Sequence, residues 1–156
     1  MNINIISVSG SKSPWTVLAF KDYAKRFDRS VDVDWMTVPP SNRANKLNSS
    51  DKIIKEEGIK LLEATKGKGL NIALDKGGMR WSTKDFFKQY IQWQESSKVI
   101  NFLIGGTDGL CEEVIKKAYK VWSLSPMTLP HGIVPILIIE QTYRVWSISK
   151  NHPYHR

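Results

Sequence analysis

The sequence predicts an α/β protein: one parallel β-sheet with helices on both faces, in a single domain over residues 1–156. Three observations predict it. Short β-rich apolar runs alternate with stretches of helical spacing along the whole chain. Glycine and proline punctuate the junctions between them. The run at 99–104 is continuously apolar, as a central strand covered on both faces requires.

Residues 2–8 carry Ile3, Ile5 and Ile6 and close on Ser9 and Gly10, a strand. Residues 15–27 place apolar side chains at 15, 18, 19, 23 and 27 behind Pro14, a helix with proline near its start. Residues 31–38 alternate Val31, Val33 and Trp35 with Asp32 and Asp34, a half-buried strand ended by Pro39 and Pro40. The polar stretch 41–48, with Arg43 and Lys46, reads as a mobile loop. Residues 50–65 set Ile53, Ile54, Leu61 and Leu62 on one side of a helix closed by Gly67 and Gly69.

Residues 70–74 predict a short apolar strand, and 75–80, with Gly77 and Gly78, a turn. Ser82 and Asp85 have the spacing of an N-cap and its partner, opening a helix to about residue 94. The strand 99–104 runs into Gly105, Gly106, Thr107, Asp108 and Gly109. In the next helix Glu112 and Glu113 come early and Lys116, Lys117 and Lys120 late, as the helix dipole favours. A strand over 121–124 and a helix over 131–149 complete the series, with Pro135 tolerable only in that helix's first turn.

Composition excludes several classes. With 41% hydrophobic and 24% charged residues the chain builds a core. A net charge of +8 favours an acidic partner, nucleic acid or an anionic membrane. The apolar run at 133–139 is too short to span a bilayer, and residues 1–10 lack the pattern of a signal peptide. Cys111 is the only cysteine, which rules out an internal disulfide and points to a reduced, cytoplasmic protein. One cysteine and three histidines make a poor zinc set, and Pro153 separates His152 from His155, so no metal is expected.

In open α/β sheets ligands bind beyond the carboxyl ends of strands. Three such ends are distinctive: Leu74 before the glycine turn, Ile104 before Gly105 and Gly106, and Leu124 before Ser125, Pro126, Met127, Thr128, Leu129 and Pro130. Adjacent glycines let a flat ligand press on backbone; a tight strand-to-helix turn would use the same residues. There is no dinucleotide fingerprint, no P-loop and no nucleophile elbow. His131, after Pro130, reads as a capping or internally satisfied histidine.

The stretch 141–156 contains no carboxylate. It mixes Arg144, Lys150 and Arg156 with Tyr143, Trp146, Tyr154, His152 and His155. Cations suit phosphates and flat side chains suit unstacked bases, so this segment is expected to meet RNA. The alternative is a solubilising basic end. The helix before it is apolar nearly all round, from Ile133 and Val134 through Ile136, Leu137, Ile138 and Ile139, which calls for burial on every side, in the core or at a subunit interface.

Four blocks carry a resemblance: 103–110, reading LIGGTDGL; 122–131, reading WSLSPMTLPH; 140–144, reading EQTYR; and 151–156, reading NHPYHR. The chain resembles, over its whole length, the RlmH (YbeA-like) family of SPOUT-class RNA methyltransferases. That resemblance implies a C-terminal trefoil knot, a homodimer and S-adenosylmethionine as cofactor. The implied reaction is methylation of N3 of a pseudouridine in large-subunit (23S) ribosomal RNA. The assembled ribosome is the expected acceptor, with free rRNA and the isolated subunit as alternatives. The implied cofactor contacts are Leu74, Gly105, Leu124, Ser125, Pro126, Met127, Thr128 and Leu129. Relatives often carry a Gly-Lys pair after the position of Leu74; here the loop reads DKGGMR, leaving Lys76 or Arg80 as its cation.

The implied chemistry assigns roles in the tail. The attacking N3–H must lose a proton, and an imidazole suits that task, so His155 is the first candidate for base. Tyr154 would stack on or hydrogen-bond the extruded base, and Arg144 or Arg156 would stabilise charge on its carbonyl oxygens. Lys150, Asn151 and His152 are the expected substrate contacts. In a dimer the tail of one subunit would lie over the cofactor loops of the other. A SPOUT enzyme acting on tRNA and a non-catalytic ribosome-binding module are the competing readings.

Overall fold

The computed structural model describes residues 1–42 and 49–155, the side chain of His155 excepted. The expected loop cations Arg43 and Lys46, the His155 side chain and Arg156 lie outside the described residues. The elements run β1 (Asn2–Val8), α1 (Pro14–Ala24), β2 (Asp32–Val38), α2 (Ser50–Ala64), β3 (Leu70–Arg80), α3 (Thr83–Ser96), β4 (Val99–Ile104), α4 (Glu112–Lys117), β5 (Lys120–Ser123) and α5 (Val134–Ser149). A single 3₁₀ turn, Pro153–His155, closes the chain.

The five strands form one parallel sheet in the order β2-β1-β4-β3-β5. Strand alternation sends Ile3, Ile5, Val33, Trp35, Ile100 and Phe102 into one core and Ile6, Val8, Val38 and Leu103 into another. The larger core is covered by α1, α3 and α5, through Phe20, Phe86, Tyr90, Trp93, Ile138 and Tyr143. The smaller is covered by α2 and α4, through Leu61 and Val114. The expected parallel sheet with helices on both faces is the observed fold.

Aromatic rings dominate the larger core. Phe86 lies 4.7 Å from Trp122 and 5.8 Å from Trp93, and Trp81 stacks on Trp122 at 5.0 Å. On the opposite face Asn4, Asn101 and Asn71 stand in register across β1, β4 and β3. The amide of Asn4 donates to Asn101 at 2.8 Å, and that of Asn101 to Asn71 at 2.9 Å. Each polar side chain in this row has a partner, so burying it costs little.

Three boundaries differ from expectation. The stretch 75–80 is not a turn. Strand β3 continues through Arg80, with Leu74 and Met79 both pairing with Trp122 across a bulge. A Cβ on Gly78 would meet the Val121 carbonyl at 2.7 Å, so this close return to β5 requires glycine. Helix α4 stops at Lys117, and Lys120 opens β5. Helix α5 begins at Val134, after a turn over 131–133, and Pro135 does sit in its first turn. The chain's own core buries Val134, Pro135, Ile138 and Ile139, and leaves Leu137 37% exposed.

Candidate functional site

The bulged middle of β3, at residues 74–76, and the carboxyl ends of β4 and β5, with the loops that follow those two strands, enclose a cavity of about 380 Å³, the size of a small-molecule site. Leu74, Gly105, Leu124, Ser125, Met127, Thr128 and Leu129 line it. Pro126, expected with them, belongs to the same loop but does not line the cavity. Asp75, Lys76, Asp108 and His131 also reach the wall. Lys76 therefore stands where a loop cation was expected; Arg80 does not line the cavity.

Two loops hold the wall in shape. In the first, the Gly109 amide donates to the Gly106 carbonyl at 3.1 Å, and the two residues pair as an isolated antiparallel bridge. This fold-back brings Gly109 so close to Gly105 that a Cβ there would run into the Gly109 carbonyl. Glycine is therefore required by packing as well as useful for a flat ligand. In the second loop, the Ser123 hydroxyl donates to the Ser125 carbonyl at 3.1 Å, and the Met127 amide donates to the Ser125 hydroxyl at 3.0 Å. Leu124 and Leu129 anchor this loop on the aromatic core.

A buried carboxylate lies beneath the first loop. Glu57 of α2 is 1% exposed. Its Oε1 accepts from the Ser41 amide at 3.1 Å, and a Cβ on Gly106 would meet its Oε2 at 2.6 Å. Burying a carboxylate is costly unless it is hydrogen-bonded, and here the bond fixes the loop after β2. Lys60, one turn along α2, donates to the Pro39 carbonyl at 3.1 Å and to the Ser41 hydroxyl at 3.2 Å.

The expected tail residues form a separate group. Arg144 donates to Glu140 Oε1 through Nε at 3.1 Å and Nη2 at 2.6 Å. The Tyr154 hydroxyl donates to the same oxygen at 3.1 Å and lies 3.2 Å from the Tyr23 hydroxyl. Burial pushes the Tyr154 phenol up, and Tyr23 and the charge of Glu140 add to this. The hydrogen bond to Glu140 holds Arg144 charged beyond its ordinary range. Lys150 lies 3.2 Å from the carboxylate of Asp28. Asn151 takes a left-handed φ of 53°, and the His152 amide then returns to the Ser147 carbonyl at 2.8 Å. The tail thus folds back over α5 and α1. None of Arg144, Lys150, Asn151, His152 and Tyr154 lines the cavity.

The residues expected to hold the cofactor, Pro126 excepted, are therefore brought together, and so are the described tail residues, but among the described residues one chain does not join the two groups. Asp75 and His131 were not expected at a cavity wall, because their places depend on the bulge in β3 and the turn before α5. Among the described residues no group of three His, Cys, Asp or Glu side chains is placed to hold a metal ion, and no helix is long and apolar enough to cross a membrane.

Residues 1–155 match the family described as predicted SPOUT methyltransferase. The chain is 36% identical over 156 residues to ribosomal RNA large subunit methyltransferase H of Methylobacillus flagellatus, covering all of this chain and 99% of that protein. Its fold resembles the crystal structure of a proposed RNA methyltransferase from Bacillus anthracis. The TM-score is 0.52 at 14% identity, over 99% of this chain and 97% of the other.

Proposed function

The chain belongs to the SPOUT methyltransferase family, and on that premise we propose that it methylates N3 of a pseudouridine in large-subunit ribosomal RNA with S-adenosylmethionine. The observation that carries this reading is the cavity between the bulge of β3 and the ends of β4 and β5, in a chain matched end to end by an rRNA methyltransferase. The residues present suit the cofactor. Leu74, Leu124 and Leu129 offer apolar walls, Gly105 admits a flat ring, and Asp75, Lys76 and Asp108 can meet the charged ends of an amino acid. When bound, the cofactor supplies a methyl group on a sulfonium, already electrophilic.

The protein's task is then alignment and proton removal. The two braced loops keep the wall fixed before substrate arrives. The excess of positive charge draws the acceptor RNA in, and its hold should weaken with salt. Within this reading the cofactor cleft is completed by the tail of a second subunit, residues 150–156; the described tail residues do not line the cleft of their own chain. Homodimerisation is supported by apolar side chains left outside on two helices that pack together: Trp15 and Leu18 of α1 and Leu137 of α5. The reading includes a C-terminal trefoil knot, a cytoplasmic location and the assembled ribosome as acceptor.

Labelled S-adenosylmethionine offered with free rRNA, large subunits and whole ribosomes, all lacking the modification, tests it. The expected result is label in one large-subunit pseudouridine. Label in tRNA would move the substrate. RNA binding with neither label nor cofactor binding would reduce the protein to a ribosome-binding module.

A further inference from the structure

A second cavity, of about 410 Å³, adjoins the first and shares Gly106, Thr107 and His131 with it. It opens between the loops that follow β1 and β2, and its other walls among the described residues are Val8, Ser9, Gly10, Pro40 and Ser41. We propose that this second cavity seats the acceptor base, and that His131, on the ridge common to both cavities, takes the proton from its N3. The inference rests on the methyltransferase reading and locates its substrate.

Three observations carry it. First, among the described residues the lining carries no carboxylate, ammonium or guanidinium side chain. A neutral imide wants hydroxyls, backbone groups and a flat apolar wall. Ser9 and Ser41, Gly10 and Gly106, and Val8 and Pro40 supply these. Charged side chains near His131 stand on other walls: Asp75, Lys76 and Asp108 in the first cavity, and Glu57 beneath Gly106.

Second, the site is preorganised. The Ser41 amide is held by the buried carboxylate of Glu57, and its hydroxyl oxygen accepts from Lys60. The hydroxyl proton of Ser41 is thereby left to donate to an imide carbonyl. Two side chains of α2 are committed to the position of this one loop residue, which Ser41's 5% exposure otherwise leaves with little surface role.

Third, among the described residues His131 is the imidazole that lines either cavity; His152 lines neither. A base seated in one cavity and a methyl donor in the other must meet at the ridge. The N3 lone pair forms the new C–N bond as the sulfonium C–S bond breaks, the proton passes to His131, and a neutral thioether leaves. In this proposal His131 is the proton acceptor, the role the resemblance had suggested for His155, and the tail keeps its contact with RNA.

Gly10 provides a test that leaves the core alone, since a Cβ built there meets nothing within 4 Å. Pseudouridine 5′-monophosphate titrated into the ¹⁵N-labelled protein should shift the amides of Ser9, Gly10 and Ser41 and the ring nitrogens of His131. Gly10→Leu should abolish those shifts while S-adenosylhomocysteine still binds. In turnover, Gly10→Leu should raise KM at least tenfold. His131→Ala should lower kcat about 10²- to 10⁴-fold, with cofactor affinity retained and activity partly restored by added imidazole. Nucleotide shifts confined to another surface, undiminished turnover in His131→Ala, or a Gly10→Leu chain with unchanged KM would each overturn the proposal while leaving the methyltransferase reading in place. A wild-type chain that binds the nucleotide here but methylates no RNA would overturn that reading, and this inference with it.

Discussion

The Tyr154 hydroxyl donates to Glu140 Oε1 at 3.1 Å, across fourteen residues of chain, and the same oxygen takes both donors of Arg144. Glu140 is thus the point at which the tail is tied to α5. It neutralises Arg144 and supports Tyr154, whose ring packs edge-on against Tyr143 at 4.7 Å. The pair of Glu140 and Arg144 is only partly exposed, at 17% and 31% of the side chains.

Glu140→Ala leaves Arg144 and the phenol without this acceptor. The expected loss is about 2 kcal/mol in urea unfolding, the scale of hydrogen bonds to a charged group. Hydrogen exchange should rise at residues 150–155 more than in the sheet. Tyr154→Phe removes one donor and should cost about 1 kcal/mol. Equal protection of the tail in Glu140→Ala and wild type would show that the tie is dispensable.

Gly105→Ala places a methyl group against the Gly109 carbonyl and forces the loop after β4 open. Cofactor affinity should fall at least tenfold by calorimetry. The circular dichroism of the sheet should persist, because the displaced loop lies beyond the strand end. An alanine variant with wild-type affinity would mean that this loop does not touch the cofactor.

Phe86 is 1% exposed and meets Trp93, Phe102 and Trp122. Phe86→Ala should destabilise the chain by about 3–5 kcal/mol, from lost transfer energy and the cavity left among rings that cannot collapse into it. Chemical unfolding checks this. A loss under 1 kcal/mol would mean that the aromatic cluster repacks.

At the start of α3, Asp85 Oδ2 accepts from the Ser82 hydroxyl at 2.6 Å and the Ser82 amide at 3.1 Å. These bonds hold the Asp85 carboxyl below the usual carboxylate range. The folded value lies below the unfolded one, so the stabilisation is present above the ordinary carboxylate pKa and is lost as pH falls through the folded value. Asp85→Asn should therefore lower the melting temperature at pH 7, and the gap to wild type should begin to narrow near about pH 4, the ordinary carboxylate range, and close as pH falls through the lower folded value. A gap independent of pH would assign the effect to shape rather than charge.

Leu18 is 70% exposed on α1. If the proposed homodimer forms through α1 and α5, Leu18→Glu should yield monomer by sedimentation while the chain still folds. A monomeric wild type, or an intact dimer in the variant, would place the interface elsewhere.

Much of this architecture is legible in the sequence, because local rules act there without competition. The alternation of Ile3 and Ile5 against Ile6 and Val8, the continuous run of β4 and the capping pair Ser82 and Asp85 report period, burial and helix start directly. The strand ends at Ile104 and Leu124 mark the cavity because parallel sheets place ligand loops at carboxyl ends, and Leu74 reaches the same wall from within β3. The resemblance of the four quoted blocks adds what no periodicity could, the chemistry expected of that cavity.

Other features depended on contacts between residues far apart in the chain. Residues 75–80 read as a turn because Gly77 and Gly78 favour one, yet β3 re-pairs with Trp122 once β5 lies beside it. No motif or spacing singles out Glu57, and only packing buries it under Gly106 to hold Ser41. His131 offered no signal beyond its place after Pro130, and the fold set it on the ridge between two cavities. By itself the sequence determined the fold class, the strand ends at Ile104 and Leu124 and the basic aromatic tail, since each follows from residues adjacent or periodic along the chain. The tertiary structure alone decided which side chains share a wall and which stay apart, because distance across a fold is set by the packing of whole elements rather than by spacing along one of them.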